Sequence, residues 1–203
     1  MRYEIRRLPS SGEDRRSHLY DDQHQLLLVA DYGSAWLADD GQRRVRFSQP
    51  DGKPLSSLDL PAGSQPRRSK VDKPTSYPLI FNDAVYALVS AFEHPSDGKE
   101  TRPPYLTVEV EGDQWLVLPQ DEKGSVYALY DEVPSGLSVY AEPTTADLPE
   151  PVGHINRETV EPAAKEGSAW RYVAQFPAGH LTQAPLILLA LTFLIDRRPQ
   201  QAR

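Results

Sequence analysis

The sequence contains no cysteine, which excludes disulfides, thiolate metal sites and cysteine nucleophiles. A chain without cysteine fits a reducing compartment, so we expect a cytoplasmic protein. The N-terminal residues Met1–Arg7 carry charges where a secretory signal peptide would have its apolar stretch. Secretion by that route is therefore not expected.

Positive charge is also in short supply. The chain has 22 Lys and Arg against 29 Asp and Glu, which gives a net charge of −7. Nucleic-acid binding depends on clustered Lys and Arg that face phosphates, so we expect no nucleic-acid partner. The 19 prolines and 12 glycines predict many turns between short elements. The length of 203 residues favours one domain that spans residues 1–203.

Motifs that would identify an active site are missing as well. The sequence has no Gly-x-Ser-x-Gly elbow, no phosphate-binding Gly-Lys loop and no dinucleotide fingerprint. The histidines show no metal-binding spacing, so neither a metal nor a cofactor is expected. These histidines are His18, His24, His94, His154 and His180. An enzyme such as a hydrolase, with a site assembled by folding from dispersed His and carboxylates, remains the alternative to a binding protein.

Several segments alternate apolar and polar residues with the period of two that is typical of half-buried antiparallel strands. In the clearest segment, Leu106, Val108 and Val110 alternate with polar residues. The following Gly112-Asp113 predicts a tight hairpin turn into a second strand, Gln114–Leu118.

Similar patterns predict about ten to twelve short strands in all. One is centred on Val45 and Phe47, and another places Trp170, Tyr172 and Phe176 on one face. The run Asn82–Phe92 is compatible with a helix too, but we interpret it as a strand. The remaining predicted strands are Tyr3–Leu8, Gln25–Tyr32, Tyr77–Phe81, Ala84–Phe92, Ser125–Tyr130, Leu137–Ala141 and Val152–Asn156.

The run Leu181–Ile195 is rich in Leu and Ala, which favours a helix over a strand. Thr182 is the predicted N-cap, Pro185 is tolerated in the first turn, and the basic pair Arg197-Arg198 suits the C-terminus. From Leu186 to Ile195 the only polar residue is Thr192. A helix without a polar face must be covered on all sides.

Burial inside the protein is favoured over a transmembrane span, because Leu181–Ile195 reaches only about 22 Å against a hydrocarbon core of roughly 30 Å. A sheet closed around the helix would bury it and remove exposed sheet edges, although a helix held between a sheet and loops would also be buried. We therefore predict a mainly β (α+β) fold, an antiparallel β-barrel of about twelve strands that encloses the hydrophobic C-terminal helix. Leu186, Leu189 and Phe193 should be buried in it.

Three stretches resemble the tubby-like superfamily, which includes the phospholipid scramblases and the LURP-one-related proteins. They are Leu19–Asp22 leading into Gln25–Val29, then Val152–Ile155, and finally Trp170–Pro177 ahead of Leu186–Asp196. The resemblance covers nearly the whole chain and implies one tubby-like domain. It further implies a non-enzymatic binding or scaffold function, peripheral to a membrane or associated with lipid.

The sequence departs from the scramblases at points that matter for their activity. Scramblases carry an acidic calcium-binding segment before the terminal helix, whereas Gln175–Ala184 contains no carboxylate. Their Pro-rich N-terminal region and lipid-accepting cysteines are also missing here. Calcium-dependent scrambling is therefore not expected of this chain.

The partners that the resemblance implies are anionic lipid headgroups or another protein. Tubby-like proteins recognise phosphoinositide headgroups, and the corresponding candidates here are Arg67, Arg68, Lys70 and Lys73. These four residues lie with Asp72 in the predicted loop Pro61–Pro74. Each basic side chain near an anionic surface contributes about 1 kcal/mol, so we expect only weak, salt-sensitive association.

Overall fold

A computed structural model describes residues 1–8, 15–32, 43–61, 74–92, 103–135, 137, 148–159, 170–176 and 183–196. Within these ranges the chain forms twelve β-strands followed by one α-helix. The strands are β1 (Arg2–Leu8), β2 (Arg15–Tyr20), β3 (Leu26–Tyr32), β4 (Arg43–Ser48), β5 (Pro54–Leu60), β6 (Thr75–Phe81), β7 (Ala84–Phe92), β8 (Tyr105–Val110), β9 (Asp113–Pro119), β10 (Val126–Tyr130), β11 (Gly153–Thr159) and β12 (Trp170–Gln175), and the helix is α1 (Ala184–Asp196).

The strands form one closed antiparallel barrel. Each strand pairs with its neighbours in sequence, and β1 pairs with β12 to close the sheet, with Ile5 opposite Tyr172. Alternate residues of each strand point inward, as the apolar pattern of Leu106, Val108 and Val110 predicts. The predicted fold is therefore confirmed.

Helix α1 fills the inside of the barrel. Leu186 and Leu189 are 0% and 1% exposed, and the helix buries residues on every side. Its polar Thr192 donates a hydrogen bond to the carbonyl oxygen of Leu188 at 2.9 Å, so the hydroxyl needs no partner on the barrel. The prediction that Phe193 is almost fully buried is wrong. Phe193 lies in the last turn, where the barrel opens, and its ring is only partly buried against the ring of Tyr32.

The first turn of α1 differs in one detail from the prediction. The carbonyl of Gln183 accepts hydrogen bonds from the backbone N–H groups of Leu186 and Ile187, at 3.0 and 3.3 Å. Gln183 therefore occupies the N-cap position that we predicted for Thr182. Thr182 itself and the basic pair Arg197-Arg198 lie outside the described residues.

Two hairpin turns use a pair of residues with positive φ. Val110 pairs with Asp113, so the turn residues are Glu111 and Gly112, with φ of 52° and 91°. The turn thus begins one residue earlier than predicted, because two-residue hairpin turns of this type require left-handed backbone at both positions. Asn82 and Asp83 form a second such turn, and the strand interpretation of the run after them is confirmed by β7.

Two strands, β2 and β5, were not among the predicted segments. The predicted strand Leu137–Ala141 lies outside the described residues except for Leu137, which is not part of a strand. The predicted loop Pro61–Pro74 also lies largely outside them.

The outer surface of β7–β10 carries a second layer of buried residues, which we call the apolar wall. Tyr105 and Leu116 point outward yet are 0% exposed. Partly buried residues from the connection after β10 pack against this surface, namely Val133, Leu137 and Leu148. The residues of the apolar wall are Phe92, Tyr105, Leu116, Leu118, Ala128 and Tyr130.

Candidate functional site

The two ends of the barrel differ in the length of their connections. At one end, which we call the turn end, β2, β4, β6 and β8 are joined to the following strands by short turns, residues 21–25, 49–53, 82–83 and 111–112. Two longer connections, β10–β11 (residues 131–152) and β12–α1 (residues 176–183), lie at the same end. At the opposite end, the loop end, the connections span residues 9–14, 33–42, 61–74, 93–104, 120–125 and 160–169. Long connections carried on a rigid scaffold are where proteins commonly place binding residues.

Helix α1 points its C-terminus toward the loop end. A small pocket opens there between the last turn of the helix and the strands. It is lined by Ile5, Arg7, Ser17, Ala30, Tyr32, Val45, Tyr172, Leu189, Thr192, Phe193 and Asp196. The cavity measures about 20 Å³, against roughly 10–15 Å³ for one water molecule. In its present shape the pocket accommodates a water or a very small group.

A short hydrogen bond in this pocket joins the helix to the barrel wall. The hydroxyl of Tyr172 donates a hydrogen bond to Oδ1 of Asp196 at 2.6 Å. Burial of the ring raises the pKa of Tyr172, and the charge of Asp196 raises it further, while Arg157 opposes the shift. Tyr172 therefore stays protonated at neutral pH and acts as a donor that fixes the end of α1, not as a base.

None of the pocket residues is a histidine, which bears on the hydrolase alternative. His18 and His154 lie at outward-facing strand positions, next to the inward-facing Leu19 and Ile155. The side chain of His24 is 72% exposed, with Nδ1 3.8 Å from Oε2 of Glu4. His94 and His180 lie outside the described residues.

The described part of the chain also offers no cluster of three or more His, Asp or Glu side chains suited to a metal ion. No helix in these ranges has the length and hydropathy of a membrane-spanning segment.

The four basic residues proposed from sequence, Arg67, Arg68, Lys70 and Lys73, lie outside the described residues. The strand ends that flank them are described, and these place the β5–β6 connection at the loop end of the barrel. Their connection therefore leaves and re-enters the barrel at the same end as the pocket.

Sequence reasoning missed a different group of charged residues, on the outer surface of β12 and β1–β4. We call it the arginine wall. Its members are Arg6, Arg16, Arg44, Arg46 and Arg171. A period-two pattern predicts that such residues face outward, but it does not predict which of them become neighbours across strands.

Comparisons with models of protein families, with curated proteins and with solved structures gave no match for this chain. The resemblance to the tubby-like superfamily stays a prediction.

Proposed function

We propose that this chain is a non-catalytic binding domain of the tubby-like kind, with its loop end as the surface that meets an anionic lipid headgroup. The observation that carries this proposal is the filling of the barrel by α1. Leu186, Leu188 and Ala190 are all 0% exposed, so the space that other barrels use for a ligand is occupied by the helix. Binding must then use the ends or the outside of the barrel.

The loop end is favoured over the turn end because it carries the basic residues, whereas the longest connection of the turn end, residues 131–152, packs Val133, Leu137 and Leu148 against the apolar wall. The β5–β6 connection holds Arg67, Arg68, Lys70 and Lys73 against the single carboxylate of Asp72. Three net positive charges at about 1 kcal/mol each correspond to a dissociation constant in roughly the millimolar range. The net charge of −7 on the whole chain opposes binding to an anionic surface, so the association is weak and weakens further as salt is added.

The alternative, a hydrolase, is not favoured by the placement of the described histidines. A general base has to reach the proton that it removes, directly or through one water. His18, His24 and His154 face outward, away from the pocket at the end of α1. A hydrolytic activity toward ester or phosphate substrates that disappears in His18→Ala or His24→Ala would contradict the proposal.

The lipid part of the proposal is tested by sedimentation with vesicles that contain an anionic phosphoinositide and with neutral vesicles. We expect binding to the anionic vesicles at low salt, and its loss at about 0.15 M salt. The pair Arg67→Ser and Arg68→Ser should weaken binding. A matched control removes two charges at the turn end through Arg2→Ser and Lys53→Ser, both at exposed positions.

Two results would contradict the site. One is tight binding at about 0.15 M salt that survives replacement of all four basic loop residues by Ser. The other is an equal loss in the loop pair and in the turn-end pair, which would mean that only the overall charge matters.

A further inference from the structure

The arginine wall is built from residues that face one another across neighbouring strands. Arg171 of β12 lies opposite Arg6 of β1 in the strand register. Farther along the wall, Arg16 and Arg46 flank Asp31 from either side. Like charges that face each other directly destabilise a sheet unless a counter-charge lies between them. The carboxylates therefore offset the repulsion between the arginines of the wall. The depth at which they lie determines which charged groups are exposed to solvent.

Three carboxylates of the wall lie beneath the arginines with which they pair. The exception is Glu158, whose Oε2 is 2.8 Å from Nε of Arg171 and whose side chain is 42% exposed against 37% for Arg171. The side chain of Glu4 is 9% exposed and that of its partner Arg6 is 46% exposed. The side chain of Asp31 is likewise less exposed than that of Arg16, at 21% against 56%. The side chain of Asp59 is 19% exposed and that of Arg44 is 35% exposed. Around Arg6, Arg16 and Arg44 the outermost charged layer of the wall is thus guanidinium, although the chain as a whole is acidic.

The recessed carboxylates also hold the arginines in fixed orientations. Nε of Arg6 lies 2.7 Å from Oε1 of Glu4, and the guanidinium of Arg6 is 4.8 Å from the centre of the Tyr20 ring. Nε of Arg16 lies 2.6 Å from Oδ1 of Asp31. A guanidinium has five N–H donors, so Arg6, bound through Nε, and Arg16, bound through Nε and one terminal nitrogen, keep donors for a further acceptor. An arginine that is already oriented loses less side-chain entropy when it binds.

We propose that the arginine wall docks an acidic segment of a partner polypeptide, whose carboxylates pair with the outer edges of Arg6, Arg16 and Arg46. This site goes beyond the proposed lipid function and does not depend on it. A closed barrel has no strand edge to which a peptide could add, so recognition must come from side chains. Charge complementarity with an acidic partner provides it.

A polypeptide fits the wall better than a membrane or a nucleic acid does. The wall is convex, so a flat bilayer would meet it only along a narrow strip. Its guanidinium groups are separated by Glu4, Asp31 and Asp59, which would repel a continuous array of phosphates. An acidic segment can space its carboxylates to meet the arginines and avoid these positions.

The test measures the binding of a fluorescent oligoglutamate peptide to the full chain by anisotropy, with oligoglutamine as the uncharged comparison. We expect oligoglutamate to bind, oligoglutamine not to bind, and the affinity to fall with salt. The pair Arg16→Gln and Arg46→Gln should weaken binding by about tenfold, equivalent to about 1.4 kcal/mol. The charge-matched pair Arg2→Gln and Lys53→Gln, at the turn end, should leave the affinity within about twofold.

Equal weakening in both pairs would overturn the proposal, and so would anionic vesicles that bind through Arg16 and Arg46 while oligoglutamate does not. If the Gln pair does not fold, the variant Arg16→Lys with Arg46→Lys tests the proposal instead. It keeps both positive charges but replaces the planar guanidinium groups, which can bind a carboxylate through two parallel hydrogen bonds, with ammonium groups. Weaker peptide binding by the Lys pair supports the proposal, and unchanged binding overturns it. The lipid site is tested separately, since Arg67→Ser and Arg68→Ser should leave oligoglutamate binding unchanged.

Discussion

The apolar wall and the arginine wall share one barrel and one inward pattern, yet their outward residues differ completely. On β7–β10 the outward residues Tyr105 and Leu116 are buried under the connection after β10. On β1 and β2 the outward residues Arg6 and Arg16 form ion pairs and remain about half exposed. The inward residues determine that the chain closes into a barrel, and the outward residues determine what each wall contacts.

The largest effect should come from the interior that both walls share. Leu189→Asp places a carboxylate in the middle of α1, where Leu189 is 1% exposed. An unpaired buried carboxylate costs several kcal/mol against a total stability of about 5–15 kcal/mol, so we expect the chain not to fold. Circular dichroism and a thermal melt measure this. A control, Val85→Asp, changes a residue that is 63% exposed and should fold normally.

The next effect separates the two walls directly. Leu116→Ala removes an outward side chain that is fully buried, so we expect a loss of about 2–5 kcal/mol in the free energy of unfolding. Arg16→Ala on the other wall should cost no more than about 1 kcal/mol, the upper value for an exposed ion pair. Urea denaturation of both variants measures the difference. Similar costs for the two would mean that the walls do not differ in the way described.

The walls also differ in how far the sequence predicts them. The apolar wall is indicated in the sequence by the unbroken apolar run Trp115–Leu118, because a strand buried on both faces shows no alternation of apolar and polar residues. No sequence pattern indicates the arginine wall, since its ion pairs, apart from Arg6 with Glu4, join residues 13 or more positions apart. Arg16 and Asp31 are 15 positions apart, and Arg171 and Glu4 are 167 positions apart.

The two strands that sequence reasoning missed have irregular inner faces. In β2 the inward position before Leu19 is Ser17, so only one large apolar residue marks the strand. In β5 the pairing with β4 shifts between Phe47 and Ser48, and Ser56 faces the inward-pointing Phe47. A bulge and a polar inward residue together remove the period of two. The helix and the inner faces of the other strands follow from hydrophobic pattern alone.

A smaller effect comes from the acid that lies beneath the arginine wall. The hydrogen bond from Arg6 lowers the pKa of Glu4 below its usual value of 4.5. Because the folded-state pKa is the lower one, this stabilisation is present above pH 4.5 and is lost as the pH falls through the folded-state value. Glu4→Gln should cost about 1.5–3 kcal/mol at neutral pH and should flatten the loss of stability in acid.

Urea denaturation at neutral pH and at several acidic pH values measures both quantities for the parent and for Glu4→Gln. A variant with the same acid dependence as the parent would mean that another carboxylate is responsible.

The smallest effect concerns the exposed pair Arg16 and Asp31, whose atoms Nε and Oδ1 are 2.6 Å apart. Exposed pairs of this kind contribute about 0.2–1 kcal/mol, because water screens the charges and both side chains lose freedom. A double-mutant cycle with Arg16→Ala, Asp31→Ala and the double variant isolates this coupling from the other effects of each change. We expect the coupling to fall within that range in low salt and to approach zero at about 1 M salt, where the Debye length is about 3 Å. A coupling above about 2 kcal/mol, or one that salt does not reduce, would place the pair with buried ion pairs. It would also remove the contrast between a wall held by burial and a wall whose exposed charges serve mainly to meet a partner.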